Sequence, residues 1–214
     1  VEWMPFRHPR PENQRAIYRN FKYGDLIDLM MLETRLNGRE MPVTAGEREN
    51  PQVDSTLWQS PDRTMLGHDQ LDWLLNNLTQ SDANWKIMAT SIMMIPIPGE
   101  IITNFDAWDG FPAERQKIFD VIESNNIKNV GAISGDIHMS FASNLISTRE
   151  GAIDDFVENG KALGFEFTTP SVTSANLNEL SAITLPGIGE INPLGVGLPE
   201  RSPIAIILET QAVN

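Results

Sequence analysis

Gly135-Asp136-Ile137-His138 sets a carboxylate and an imidazole two positions apart, directly after the short apolar run Val130 to Ser134. Gly135 permits a sharp turn out of a buried strand, and in extended backbone residues i and i+2 point to the same side. Asp136 and His138 can therefore reach one cation or a closely spaced pair. Asp offers hard oxygen to Ca²⁺, Mg²⁺ or Fe³⁺, while His offers nitrogen to a transition metal. Two such ions can clamp a phosphoryl group and generate a hydroxide nucleophile. The same spacing also allows a purely structural reading, with Asp136 capping a turn and His138 packed in a core. Two protein ligands do not complete a catalytic metal centre. The other histidines, His8 and His68, sit in a Pro-rich segment and at a helix start. Further ligands must then be carboxylates, amides or groups outside this chain.

The elements that position these residues follow from periodicity. Ala16 to Phe21 and Leu26 to Leu32 flank Lys22-Tyr23-Gly24-Asp25 and read as a strand pair around a Gly turn, the second segment also being compatible with helix. Residues 36–63 carry Gly, Pro, Asn and Asp without periodicity and read as a long surface loop. His68 to Gln80 reads as a helix, with Leu71, Leu74, Leu75 and Leu78 in one stripe. Trp85 to Ile95 is expected as a strand. Phe111 to Ser124 follows as a helix, with Pro112 in its first turn, Ile118, Val121 and Ile122 on one face, and Asn125 and Asn126 closing it. Val130 to Ser134, Phe165 to Thr168 and Ile204 to Leu208 read as strands. Helix, strand, helix, strand predicts an α/β architecture with catalytic residues on loops at strand ends.

Composition narrows the function classes. The chain has 214 residues, enough for one sizeable domain, and 41% of them are apolar, an ordinary globular share. The most apolar stretch, Ile87 to Ile97, is far short of the ~20 residues of a membrane span. Net charge is −13, from 29 acidic against 16 basic side chains, which disfavours binding to a nucleic-acid duplex. With no cysteine, thiolate metal sites, disulfides and a cysteine nucleophile are excluded within these residues. The opening Val1-Glu2-Trp3 and the stop at Asn214 read as a piece of something longer.

Several strings, in order, resemble the carboxyl-terminal half of the alkaline phosphatase D (PhoD-type) metallophosphatases. They are Glu2-Trp3-Met4-Pro5, Ile17-Tyr18-Arg19 through Phe21 and Gly24 to Leu32-Glu33-Thr34-Arg35, and Arg63-Thr64-Met65-Leu66-Gly67 with Gln70, Trp73 and Leu74. Trp85-Lys86, Asp106-Ala107-Trp108-Asp109-Gly110-Phe111 and Gly135-Asp136-Ile137-His138 complete the set. The resemblance implies that residues 1–214 form half of a four-layer αββα metallophosphoesterase sandwich with mixed sheets. It implies hydrolysis of phosphate monoesters or diesters, a site holding Ca²⁺ and Fe³⁺ or other divalent metals, and a periplasmic or secreted location. Asp136 and His138 would be its metal ligands and catalytic groups, and Asp109 and Arg63 its substrate-binding candidates. Each of the last two has a second reading. Arg63 can instead hold a loop by ion pairing, and Asp106 to Phe111 can be a turn and helix cap with Trp108 in the core. Arg115 reads as a solvated helix residue.

Three departures qualify the resemblance. Thr90-Ser91 stands where metallophosphoesterases place a metal-binding His and this family often has Gln. Glu33 replaces an Asp, and the family's amino-terminal ligand motifs are absent. Activity is therefore expected only with an amino-terminal half, attached or as a separate chain. The rival expectations are a non-catalytic binding or structural module and a metal-dependent hydrolase of another ester.

Overall fold

A left-handed φ of 56° at Gly24 reverses the chain between β1 (Arg19–Tyr23) and β2 (Ile27–Met31), which pair antiparallel with Phe21 opposite Leu29. The computed structural model describes residues 7–42, 57–96, 105–136 and 140–169, and the backbone of 184–185 and 189–190. The second segment of the expected pair is thus strand and not helix. The expected strand Ile204 to Leu208 and residues 97–104, 137–139 and 170–174 lie outside the described residues.

Helix α1 (His68–Gln80) has the expected bounds and buries Leu71, Leu74 and Leu78, with Gln70 beside them. Strand β3 (Trp85–Ala89) is shorter than expected. The Thr90 N–H still reaches the Ile133 carbonyl at 3.0 Å, but farther on the N–H groups of Met94 and Ile95 go to the Glu166 carboxylate, each at 2.9 Å, and not to a neighbouring strand. A 3-10 turn (Trp108–Gly110) leads into α2 (Pro112–Ser124), which starts on Pro112 and ends through Asn126 at a left-handed φ of 52°. Strand β4 (Val130–Ser134) matches its expected span. Beyond it lie β5 (Phe141–Leu145), α3 (Ala152–Asn159) and β6 (Gly164–Thr168), and a small antiparallel pair, β7 (Thr184–Leu185) and β8 (Gly189–Glu190).

The main sheet has six strands in the order β1-β2-β3-β4-β6-β5. The four central strands run parallel, and β1 and β5 are antiparallel edges. This is the mixed α/β sheet that the sequence predicts. Side chains alternate across it. Met30, Met88, Val130 and Ala132 face α1 and α2 and form the core with Leu74, Leu78, Trp108, Phe111, Ile118, Phe119 and Ile122.

The opposite sheet face is apolar and open. Phe21, Tyr23, Met31, Trp85, Ile133 and Phe167 share it by register and remain 40% to 58% exposed. Phe165 lies on the same face, its ring pressed against Gly131, where an added Cβ would come within 2.3 Å of it. Among the described residues, sheet and helices thus supply two packed layers, with one sheet face uncovered.

Candidate functional site

Parallel strands deliver their carboxyl ends to one edge, and the residues after β2, β3, β4 and β6 meet there. After β2, Glu33 folds its side chain back so that its carboxylate accepts the backbone N–H of Arg35 and Leu36 at 2.6 Å and of Asn37 at 2.7 Å. Buried Gln70 clamps the same residue from α1, accepting from Glu33 N–H and donating to its carbonyl, each at 2.8 Å. Gly38 and Gly67 bring this turn onto the start of α1. An added Cβ at Gly38 would fall 2.6 Å from the Gly67 Cα, and both residues have positive φ. Only glycine fits this approach. After β3, the Ser91 hydroxyl hydrogen-bonds that of Thr34.

The turn so fixed carries two arginines. Arg35 donates from Nη1 to Asp106 at 2.5 Å and from Nη2 to Asp136 at 2.9 Å. Arg39, nearly buried, reaches the other oxygen of Asp106 at 2.6 Å and the Thr34 carbonyl at 3.0 Å. Burial lowers the Arg39 pKa and the nearby Arg35 charge acts in the same direction, against the pull of Asp106. Asp136 stands two residues beyond β4, with its side chain 47% exposed and a left-handed φ of 71°. That conformation costs a non-glycine residue about 1 kcal/mol or more, although Asp tolerates it better than most. The half-exposed pairs contribute on the order of 0–1 kcal/mol each, so their consequence is orientation rather than stability.

The other site candidates are placed differently. Arg63 donates to the Gly110 carbonyl at 3.3 Å and the Met41 carbonyl at 3.0 Å, pairs with Glu40 at 3.6 Å, and stacks on Phe111. Of its two expected roles, loop-holding is the one its contacts serve. Asp109 is nearly buried and pairs with Arg115 at 2.9 Å. Arg115 is not a solvated helix residue. It is 4% exposed, because its position on α2 points it under the loop after β3, where it also donates to the Met94 carbonyl at 3.0 Å. Trp108 is fully buried, as the turn reading of Asp106 to Phe111 expects, but the N-cap residue of α2 is Phe111 and makes no side-chain cap bond. His138 lies outside the described residues.

Arg35, Arg39 and Asp106 are the site residues that spacing alone did not single out. The signal for the two arginines was positional: basic residues four apart in the turn that follows β2.

Among the described residues, no group of three or more His, Cys, Asp or Glu side chains is placed to hold a metal ion. Asp136 supplies one hard-oxygen donor at an open strand end. A carboxylate of this kind suits a hard cation, but a single carboxylate does not make a metal site.

Fold and site together define an α/β protein with a charged cluster at the carboxyl edge of parallel strands. The chain belongs to the PhoD-like phosphatase family, whose sequence pattern matches residues 1–188. It is 35% identical over 179 residues to alkaline phosphatase D of Bacillus subtilis (strain 168), covering 81% of this chain and 29% of that protein. It also matches a solved structure of PhoD with a TM-score of 0.65 and 32% identity, over 81% of this chain and 32% of that one. The chain thus spans about a third of the length of these relatives. The likeness and the six-stranded mixed sheet agree with a metallophosphoesterase-like sandwich.

Proposed function

We propose that this chain forms the carboxyl-terminal part of a metal-dependent phosphoester hydrolase. The observation that carries the reading is the cluster of Asp136, Arg35, Asp106 and Arg39 at the carboxyl edge, in a chain of this family. Asp136 and His138 would contribute ligands to a metal centre, with Ca²⁺ and Fe³⁺ as the ions the family points to. When bound, such ions supply Lewis acidity and a nucleophilic oxygen. Arg35 is half exposed and can turn one guanidinium edge to a substrate phosphate oxygen. Asp106 and Arg39 hold Arg35 in place, while Arg63 and Asp109 keep the surrounding loops in register.

Completion requires a further segment of the same protein, or a separate chain, that brings the missing ligands. The open apolar sheet face supports this, since a contiguous exposed patch of such side chains marks an interface. A second sheet laid on it gives the sandwich. The location we favour is periplasmic or secreted, following the family. No described helix is long and apolar enough to cross a membrane.

Turnover of a chromogenic phosphate monoester and diester tests the reading in two preparations. The 214 residues alone should show no turnover, and the full-length protein should show turnover that a chelator abolishes. Hydrolysis by the chain alone overturns the claim of incompleteness. A full-length protein indifferent to chelation overturns metal dependence. The second reading, a non-catalytic module, is favoured by Asp136 already having a cationic partner in Arg35. Metal analysis of the assembled protein separates the two, because the module would carry none.

A further inference from the structure

Glu166 is a buried carboxylate in the middle of β6, with no exposed surface and no place in the cluster just described. One oxygen accepts the Met94 N–H at 2.9 Å and the Ser134 hydroxyl at 2.6 Å, and the other accepts the Ile95 N–H at 2.9 Å. The Ser134 hydroxyl is spent on Glu166, so the bond at 2.8 Å between Ser134 and Thr168 is donated by Thr168. Three segments therefore converge on this one side chain: the loop after β3, the last residue of β4, and β6 itself. Ser134 precedes Asp136 by two residues, and its carbonyl accepts the Thr169 N–H at 3.0 Å.

The contacts continue into a closed circuit. Met94, held through its N–H by Glu166, is held through its carbonyl by Arg115. Arg115 pairs with Asp109, and three residues before Asp109 stands Asp106, which holds Arg35. Arg35 returns to Asp136. Asp136 is thus reached from Glu166 by two routes, one through Ser134 and the backbone, the other around the edge through three ion pairs. Asp136 at φ of 71° is mildly strained, and both routes end on it. The buried part of the circuit, Glu166 with its three donors and Arg115 with Asp109, is the firmly held part, and the half-exposed pairs of Arg35 orient Asp136 at its end.

Resting on the proposed hydrolase reading, we propose that Glu166 is a positioning residue for Asp136, fixing it by tying the loop after β3 to the end of β4. Amide hydrogen exchange of the full-length protein, read together with turnover, tests it. Glu166→Gln replaces one acceptor oxygen with a donor that faces an N–H or a hydroxyl. Ser134→Ala, a milder change, cuts the link from Glu166 to β4 together with the bond from Thr168, and serves if the first variant fails to fold. Glu114→Gln is the control. Glu114 is equally buried, but it accepts from Met65 and Leu66 before α1 and lies outside the circuit.

In Glu166→Gln and Ser134→Ala, exchange in residues 130–136 should rise at least about tenfold while α1 keeps its protection. Turnover per folded molecule should fall at least about tenfold with KM nearly unchanged. Glu114→Gln should leave residues 130–136 as they are. The inference is overturned if both circuit variants leave exchange there unchanged, or if Glu114→Gln raises it equally. A wild-type protein without phosphoesterase activity would sink the proposed function, and the exchange data would still decide the role of Glu166.

Discussion

Asp109 separates two accounts of this site, because its sequence context suggests substrate binding and its contacts suggest support. Its side chain is 10% exposed and that of Arg115 is 4% exposed, with 2.9 Å between the charged atoms. Removing one member of such a pair strands the other charge in the interior, at a cost of about 3–5 kcal/mol. Asp109→Asn keeps an amide oxygen near Arg115, so the lower end, about 3 kcal/mol, is expected. That corresponds to a fall in Tm of roughly 6–12 °C for a unit of 150–250 residues that unfolds by itself, and to less where a longer protein unfolds with it. Arg115→Met should cost at least as much, since it also abandons the Met94 carbonyl. The double replacement Asp109→Leu with Arg115→Met removes both charges and should cost less than the sum, with a coupling of about 1–3 kcal/mol. Thermal unfolding of the full-length protein gives the stabilities, and steady-state kinetics on an aryl phosphate gives KM, expected to stay within about twofold. The reasoning is refuted if Asp109→Asn leaves Tm unchanged while KM rises tenfold or more, since Asp109 would then be contacting substrate.

Two further outcomes follow from backbone and burial. Asp136→Gly releases the left-handed strain at φ 71° and loses one exposed ion pair, so stability should hold or rise by up to about 1 kcal/mol while activity disappears. Denaturant midpoints measured beside turnover would check this, and a fall in stability above 1 kcal/mol would contradict it. Burial raises the pKa of Glu114, partly offset by the Met65 and Leu66 N–H groups and the Thr64 hydroxyl. A raised folded pKa means that the folded state holds this proton more tightly. The group's contribution is then complete below the unfolded value of about 4.3 and declines as pH rises through the folded one. The stability of wild type minus that of Glu114→Gln should therefore fall as pH increases from 4 upward. Urea midpoints across that range that keep a constant or growing difference would refute the assignment.

Sequence reading located the scaffold well where one physical signal dominated. The leucine stripe of α1 and the apolar run of β4 emerged with their observed bounds, because burial on one face leaves a periodic imprint. β5, with Ala142, Ser143 and Asn144 at its centre, carries no such imprint and is a strand through pairing with β6. The strand expected over Trp85 to Ile95 was too long, since nothing local announces that Met94 and Ile95 give their N–H groups to Glu166, 71 or more residues away. Arg115 was misjudged for the same reason: a charged residue among helix formers reads as solvated until its buried partners are known. The place of Asp136 at the carboxyl end of β4 was legible from the apolar run and glycine before it. Its pairing with Arg35 was not, because an ion pair across 101 residues leaves no trace in spacing.

The central claim, that Asp136 belongs to the working site of a phosphoester hydrolase, is tested most directly by Asp136→Asn in the full-length protein. Asn accepts the left-handed backbone and nearly preserves the volume, so Tm should stay within a few degrees. Loss of the carboxylate donor should lower turnover of an aryl phosphate by about a hundredfold or more. Turnover within about threefold of wild type, at unchanged Tm, would contradict the account.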